Sequence, residues 1–403
     1  MKQRVLIVNK FYYRRGGDCV CTLNLENLLT HNGHATAVFA MQYPENRPNK
    51  WSEYWPSEVS FSGGANAKLK ALQRVLGMGE VKNKFAKLLQ DFKPDVVHLN
   101  NIHSYLSPVL ASMAHNSGAK VVWTLHDYKL ICPSYSCLDS NGDVCEKCLG
   151  SKLPVLTTRC MKKSLTASAV AWLEAMKWNR NALQRHVDCF ICPSAFMKQK
   201  MTQGGFKPHK LVTLCNFVSP EIIQSYRNIN ASAQRDDYYC YVGRLSQEKG
   251  VRTLLATAAT LPHKLKIAGG GPLEAELRTK YASCSNIEFL GHLSSNDVQS
   301  LLSGARFSIM PSECYENNPL SVIESLCSGT PVVGAQIGGI PELVDGENGT
   351  TFVSGNSQSM AQAINQQWLS VADHVAIQTR ALQAFSPETH YKKLIKLYSN
   401  QSN

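Results

Sequence analysis

The sequence predicts an α/β protein of two doubly wound domains, and three observations carry that prediction. Short apolar, strand-like runs alternate with segments of helical spacing along the 403-residue chain, the pattern of parallel sheets joined by helical crossovers. The alternation stops and restarts around Asn216, with a polar stretch from Val218 to Asp237 separating the halves. The length suffices for two substantial cores, and a composition 44% hydrophobic and 18% charged is that of an ordinary folded chain.

In the first half RVLIV, ATAVFA, DVVHL, KVVWTL, CFICP and LVTLCN read as strands, with helical spacing over Asn24–Leu29 and Lys68–Leu76. After Asn216, YYCYVG, KLKIAG, IEFLG, FSIMP and PVVGA are strands, and helices are expected near Val251–Ala259, Leu273–Tyr281 and Pro319–Cys327. The expected boundaries are a first domain over 1–217, carrying a Cys-rich insertion at 132–160, a second over 218–385, and a tail over 386–403. Two such domains facing a cleft would place ligands beyond the carboxyl ends of the strands. The first apolar run, Val5 to Val8, is too short for a signal-peptide core, and no run approaches a membrane span. The expected location is the cytoplasm, or the inner face of the cytoplasmic membrane.

The net charge of +12 is uneven: residues 1–217 hold 28 Lys+Arg against 14 Asp+Glu, and the remainder 14 against 16. Either this is a solubility feature, or the first half faces an anionic surface or acceptor such as phospholipid or a pyrophosphate-linked lipid. No nucleic-acid recognition motif of the usual modules is visible.

The strand ends concentrate the chemistry. In ENNPLSVIESLCSGTPVVGAQIGGIPE, from Glu316 to Glu342, Asn317 or Asn318 is a candidate N-cap and Pro319 suits the first helical position. Glu316 then precedes a helix N-terminus, which favours anions, and Glu324 lies inside the helix. Two carboxylates beside an anion site suit a ligand with phosphates and sugar hydroxyls. Gly243-Arg244 follows one strand and Lys249-Gly250 precedes a helix; the two cations form either a diphosphate clamp or a solvated loop. Gly269-Gly270-Gly271-Pro272 is either a close backbone approach to a nucleotide or a tight turn, and it is not the spaced G-x-G-x-x-G fingerprint. Gly16-Gly17 allows the same two readings. His126-Asp127, directly after KVVWTL, places an imidazole where it meets either a sugar hydroxyl or local backbone.

Taken in order, GRLSQEKG, AGGGP, ECYENNPLSVIE and GTPVVG with GGIPELV resemble glycosyltransferase family 4, the retaining enzymes of the GT-B fold. DVVHLNNIHSYLSP, WTLHDYKLICPSY and CEKC resemble its bacterial members of polysaccharide, capsule and O-antigen (lipopolysaccharide) biosynthesis, and FSPETHYKKLIKLY resembles the helix that crosses back to the first domain. The resemblance implies a hexosyltransferase using a UDP- or GDP-sugar, needing no catalytic metal, and acting on a glycan or lipid-pyrophosphate-linked acceptor. It implies that Arg244 and Lys249 bind the donor diphosphate, beside Gly243 and Gly270. Glu316 would contact the donor sugar, Glu324 the ribose, and the backbone of Asn318, Pro319 and Leu320 would lie near the phosphates. His126 would lie beside the donor sugar, with Gly16 and Gly17 closing the site. Where HLNN stands, relatives often carry a second His at the position of Asn100.

Five cysteines, Cys132, Cys137, Cys145, Cys148 and Cys160, offer enough ligands for a structural zinc; free thiols and disulfides are the alternatives, the last disfavoured in a reducing cytosol. Cys189 and Cys192 read as core thiols. Ala67–Leu89 and Arg159–Arg185 are basic and amphipathic, suited either to an anionic bilayer or to core-facing helices with solvated basic faces. The competing functions are a hydrolysing or non-transferring nucleotide-sugar enzyme of the same fold and, from another class, a zinc-containing nucleic-acid binder.

Overall fold

The computed structural model describes residues 2–61 and 63–399. It has the expected class: α/β, with two six-stranded, wholly parallel sheets. The first contains β1 (Arg4–Val8), β2 (Ala35–Phe39), β3 (Val96–Leu99), β4 (Lys120–Thr124), β5 (Cys189–Cys192) and β6 (Leu211–Thr213) in the order β2-β1-β3-β4-β5-β6. The second contains β7 (Tyr239–Val242), β8 (Leu265–Ala268), β9 (Ile287–Gly291), β10 (Ser308–Met310), β11 (Val332–Ala335) and β12 (Gly349–Phe352) in the order β12-β11-β10-β7-β8-β9. Helices cover both faces of such sheets, which is why the strands read as continuous apolar runs; Val5, Leu6, Ile7 and Val8 are all fully buried. Strand order reverses between β1 and β3 in one sheet and between β7 and β10 in the other. At such a reversal neighbouring crossovers lie on opposite faces and open a crevice at the strand ends.

The chain divides into two compact units. One holds the residues up to Asn141, Cys145–Cys215 and the chain from His390 onward; the other holds Gly142–Val144 and Asn216–Thr389. Eleven of the strands match the apolar runs of the sequence. The twelfth, Gly-Thr-Thr-Phe in β12, is an edge strand with three half-exposed residues and carries no apolar signature. The polar stretch after Val218 contains a short helix, Ile223–Arg227. Cys189 and Cys192 are buried in β5, as core thiols should be. Among the described residues no helix is long and apolar enough to cross a membrane.

The last helix, Pro387–Ser399, is part of the first unit's core. Leu394 and Tyr398 pack with Val5, Ile7, Val96, Val122 and Ile191. Three histidines tie it down. Tyr391 Oη lies 2.8 Å from His34 Nε2, and His390 Nδ1 is 2.9 Å from the Cys215 carbonyl. The Tyr398 hydroxyl lies 2.5 Å from Nδ1 of buried His98, whose Nε2 meets Thr124 Oγ1 at 2.7 Å. Burial pushes the Tyr398 phenol well up, so it stays protonated and donates, leaving Nε2–H to donate to Thr124.

Leu394→Ala is expected to cost about 2–5 kcal/mol by removing a fully buried side chain. Tyr398→Phe should cost about 1–3 kcal/mol by orphaning a buried imidazole nitrogen. Urea denaturation measures both, and a wild-type midpoint for Leu394→Ala would contradict this account of the helix.

Candidate active site

In the second unit the candidate residues gather at the reversal between β7 and β10. The chain leaves β7 at Gly243, and Tyr241 Oη donates to the Arg244 carbonyl at 2.8 Å. The next loop locks onto this one backbone to backbone: Leu245 N–H donates to the Gly270 carbonyl at 2.9 Å, and Leu273 N–H to that of Leu245 at 3.1 Å. A Cβ on Gly269, at φ +128°, would stand 2.0 Å from the Gly243 carbonyl oxygen, and one on Gly271 2.4 Å from that of Leu245. Two of the three glycines are therefore required by packing alone. Gly270 is not, since its added Cβ would meet only the flexible end of Glu274.

Arg244 is exposed, and its guanidinium makes no hydrogen bond or ion pair among the described residues. Lys249 is held: its Nζ lies 2.5 Å from Glu316 Oε1, which also accepts the Ser312 hydroxyl at 2.7 Å. Burial depresses the Lys249 ammonium, but the Glu316 carboxylate and neighbouring groups outweigh it and raise the pKa. Gly250, at φ +66°, fixes the turn after Lys249 against the Pro311 carbonyl, 1.9 Å from where a Cβ would stand. Glu316 is clamped by the loop after β11: its carbonyl accepts Gly339 N–H at 2.7 Å, and Gly338, at φ +61°, packs on it too closely for any Cβ.

The helix after Glu316 begins one residue later than expected, running Leu320–Cys327 with extended Pro319 as its flanking residue. Neither asparagine caps it. Asn318 Oδ1 accepts the Asn216 N–H at 2.8 Å, and its carbonyl accepts Asn216 Nδ2 at 2.8 Å, so the amide that would cap binds the start of this unit instead. Asn318 Nδ2 is buried without a hydrogen bond among the described residues. Glu324 stands half-buried inside the helix, where its charge helps raise the buried Tyr226 phenol, burial being the larger cause.

The first unit builds its own cluster at the ends of β1, β3 and β4. His126 Nε2 is 2.9 Å from Asn100 Oδ1, and Asn100 Nδ2 reaches the Val8 carbonyl at 3.5 Å. That orientation makes Nε2 the donor. Burial brings His126 down to about 4, with Asp18 opposing and Lys10 assisting, so the ring is neutral at pH 7. Asp18 accepts from Asn101 Nδ2 at 3.0 Å; burial would raise it, but Lys10, the His126 ring and Asn101 together hold it low. Asp127 accepts the Lys129 N–H at 2.9 Å, and His103 stacks on Trp123 at 5.2 Å as a buried core residue. Lys10, Asp18 and Asn101 went unrecognised in the sequence, although Lys10 follows the first strand at the same kind of position as His126.

Gly16 and Gly17 open the helix Gly17–His31, both exposed. Gly16 has extended backbone that any residue adopts, and a Cβ on Gly17 would meet nothing within 4 Å. Nothing in the fold requires glycine at Gly17. Nearby, buried Phe11 is ringed by Tyr13, Tyr43 and Tyr105 at centroid distances of 5.3–5.9 Å, with Arg15 4.3 Å above its ring. An open cavity of about 700 Å³ adjoins this cluster, lined in part by Tyr43, Asn46, Arg47 and Glu58.

The cysteines do not form the expected metal cage. All five are free thiols, and no three His, Cys, Asp or Glu among the described residues are placed to hold an ion. Cys132 is engaged by Cys137, whose hydrogen bond pulls it down to about 6, and by Ser134 Oγ at 3.1 Å.

Two Rossmann-type parallel sheets in one chain define the GT-B class of glycosyltransferases, and solved members superpose on the whole chain. The lipopolysaccharide outer core galactosyltransferase WaaB matches with a TM-score of 0.65 at 15% identity over 98% of both chains. Anabaena HepE, solved with UDP and glucose, matches at 0.63 and 18% identity over 99% of this chain and 100% of its own. The family model for Glycosyltransferase Family 4 matches residues 15–222, and that for Glycosyl transferases group 1 matches 236–368. The chain belongs to glycosyltransferase family 4. An uncharacterised 42.6 kDa protein of the cps region of Klebsiella pneumoniae is 27% identical over 84% of this chain and 87% of its own. The putative colanic acid biosynthesis glycosyltransferase WcaL of Salmonella typhimurium is 29% identical over 34% of this chain and 37% of its own.

Buried His98 and half-buried His126 and His390 set a pH expectation. His126 and His390 are held near 4 and His98 near 3, each chiefly by burial, while the unfolded chain titrates near 6.5. Below about 6.5 the unfolded state therefore binds more protons, and stability falls as pH drops toward 4, by up to about 1.4 kcal/mol per pH unit for each imidazole. Urea midpoints at pH 7.5, 6 and 5 should decline in that order; a flat series would contradict the burial of these rings.

Proposed function

We propose that this protein is a retaining, metal-independent glycosyltransferase of surface-polysaccharide biosynthesis. It moves a hexose from a UDP- or GDP-sugar to a glycan acceptor carried on a lipid pyrophosphate. One observation carries the reading: at the β7/β10 reversal the loops carry Arg244, exposed and unpaired among the described residues, and the Lys249–Glu316 pair, 2.5 Å across, ahead of the helix start at Leu320. The cps-region and colanic acid relatives support the polysaccharide assignment. HepE, solved with UDP-glucose, supports a UDP-sugar. The thiol geometry gives structural zinc no support, and the reading needs none.

Charge development determines the mechanism. When the anomeric C–O bond breaks, the diphosphate departs with the electron pair and the sugar gains positive character. Arg244 and Lys249, with the Leu320 N–H at the helix start, stabilise the leaving oxygen without reorganising, an effect of ~3–4 kcal/mol per donor. These cations supply the charge that a metal supplies elsewhere. Gly243 and Gly270 bring bare backbone to the nucleotide, Asn318 fixes the turn, and Glu324 holds the ribose. Glu316 orients Lys249 and contacts the sugar. The acceptor hydroxyl attacks from the face the diphosphate leaves, and its proton passes to the departing phosphate oxygen. Neutral His126 touches the donor sugar, and the bare backbone at Gly16 and Gly17 approaches donor oxygens. The tyrosines around Phe11 and the adjoining cavity suit an acceptor sugar, which stacks on aromatic faces.

Arg244→Ala should lower kcat by about 10²–10³-fold while shifting stability by less than about 0.5 kcal/mol, because the side chain is exposed and unpartnered. Gly17→Ala should leave the melting temperature unchanged, since the fold has room for a methyl, yet reduce turnover. Near-wild-type transfer by Arg244→Ala would sink the assignment. Nucleotide release screened over UDP-, GDP- and ADP-sugars, with and without acceptor, identifies the donor; release independent of acceptor would instead support the hydrolysing enzyme.

A further inference from the structure

One helix of the first unit is turned inside out, and a second leaves a leucine in solvent among lysines. The helix Leu165–Lys177 buries Ser168, Ala171 and Glu174. Glu174 is paired with Lys129 at 3.1 Å and accepts both the N–H and hydroxyl of Ser104, at 2.6 and 2.7 Å. On the opposite side Leu165, Leu173 and Met176 are 52%, 43% and 50% exposed; at ~100° per residue they fall within about 80° of arc. The helix Ala65–Val75 buries apolar Ala71 and Val75 in the ordinary way, but it too takes a charge inside and leaves a leucine outside. It buries Arg74, whose guanidinium lies 3.0 Å from Glu80 and 3.2 Å from the Tyr105 carbonyl, and it exposes Leu69, with exposed Met78 following. A surface helix ordinarily does the reverse, burying its apolar stripe and solvating its charges.

The two helices meet at their carboxyl ends, where Trp178 Nε1 donates to the Val75 carbonyl at 2.8 Å and Lys177 Nζ to that of Leu76 at 2.5 Å. The charge around the apolar residues has one sign. Lys68 and Lys70 flank Leu69, exposed Lys162 and Lys163 precede Leu165, and Lys177 and Arg180 follow Met176. Across 65–79 and 160–185 the sole carboxylate is Glu174, which is buried. Exposed leucine and methionine inside a rim of lysine match an anionic bilayer, whose headgroups attract the cations and whose acyl boundary takes the apolar side chains.

We propose that these two helices form a docking face for an anionic lipid bilayer. The face deepens the lipid-linked reading of the acceptor and rests on it for its biological sense, but it operates without turnover. The test is sedimentation of the full chain with phosphatidylcholine vesicles, alone or containing about 30% phosphatidylglycerol, at about 150 mM salt. The wild type should partition onto the anionic vesicles at least about ten-fold better than onto the neutral ones. A triple variant, Leu69→Glu, Leu173→Glu and Met176→Glu, should lose at least about ten-fold of that binding. It should keep the wild-type melting temperature and the wild-type rate of nucleotide release with a soluble acceptor. Unchanged vesicle binding by the variant, or equal binding to neutral vesicles, overturns the proposal. So does a wild-type dimer that the variant splits in sedimentation equilibrium, which would assign the face to a second copy. Loss of nucleotide release in both proteins would count against the proposed function and leave the docking result standing.

Discussion

The parallel sheet is the constraint on which the rest of this structure depends. A parallel strand cannot hairpin into its neighbour, so every strand returns by a crossover and all strand ends of one polarity lie along a single edge. Where the winding reverses, the crossovers part and that edge opens. Arg244, Lys249 and Glu316 stand on the loops at one such reversal, and Lys10, Asn100 and His126 on loops at or beside the other. The chemistry gathers there because the topology leaves those loops uncovered.

Within that frame the Lys249–Glu316 pair is tuned by partial burial. A fully exposed pair would contribute about 0–1 kcal/mol and wander, whereas a fully buried one would pay a desolvation cost that its attraction barely repays. Here the lysine is more exposed than the carboxylate, and Ser312 shares the same carboxylate oxygen. The ammonium is thereby kept charged and aimed while retaining one open side. Arg244, with no protein partner among the described residues, contrasts with it: one cation is fixed and the other is left to be ordered by what it binds.

Much of the fold and candidate site was legible in the sequence because the signals were local. Eleven apolar runs became eleven strands, and Gly243, Arg244, Gly270 and His126 fell just beyond strand ends, while Glu324 lay inside a helix as its spacing predicts. What escaped depended on distant partners. β12 is polar because an edge strand need not be apolar, and it is held by its register with β11. Asn318 reads as a cap, yet it serves a residue 102 positions away. Lys10 and Asp18 acquire meaning only when β3 and β4 bring Asn101 and His126 beside them. The thiols were close in sequence, but spacing alone could not show that Cys132 would engage Cys137 and Ser134. The inverted helix Leu165–Lys177 gives no sign in its sequence of which side faces inward.

The glycine contacts beneath the candidate site bear on how such a chain can evolve. Gly250, Gly269, Gly271 and Gly338 each press against a carbonyl oxygen with no space for a methyl group. Loops joined in this way have no side chain through which mutation can loosen or reshape them in small steps. Change is therefore easier at groups that project from this frame, such as exposed Arg244. A lineage of these proteins can thus diversify its chemistry quickly while the scaffold beneath it stays nearly still.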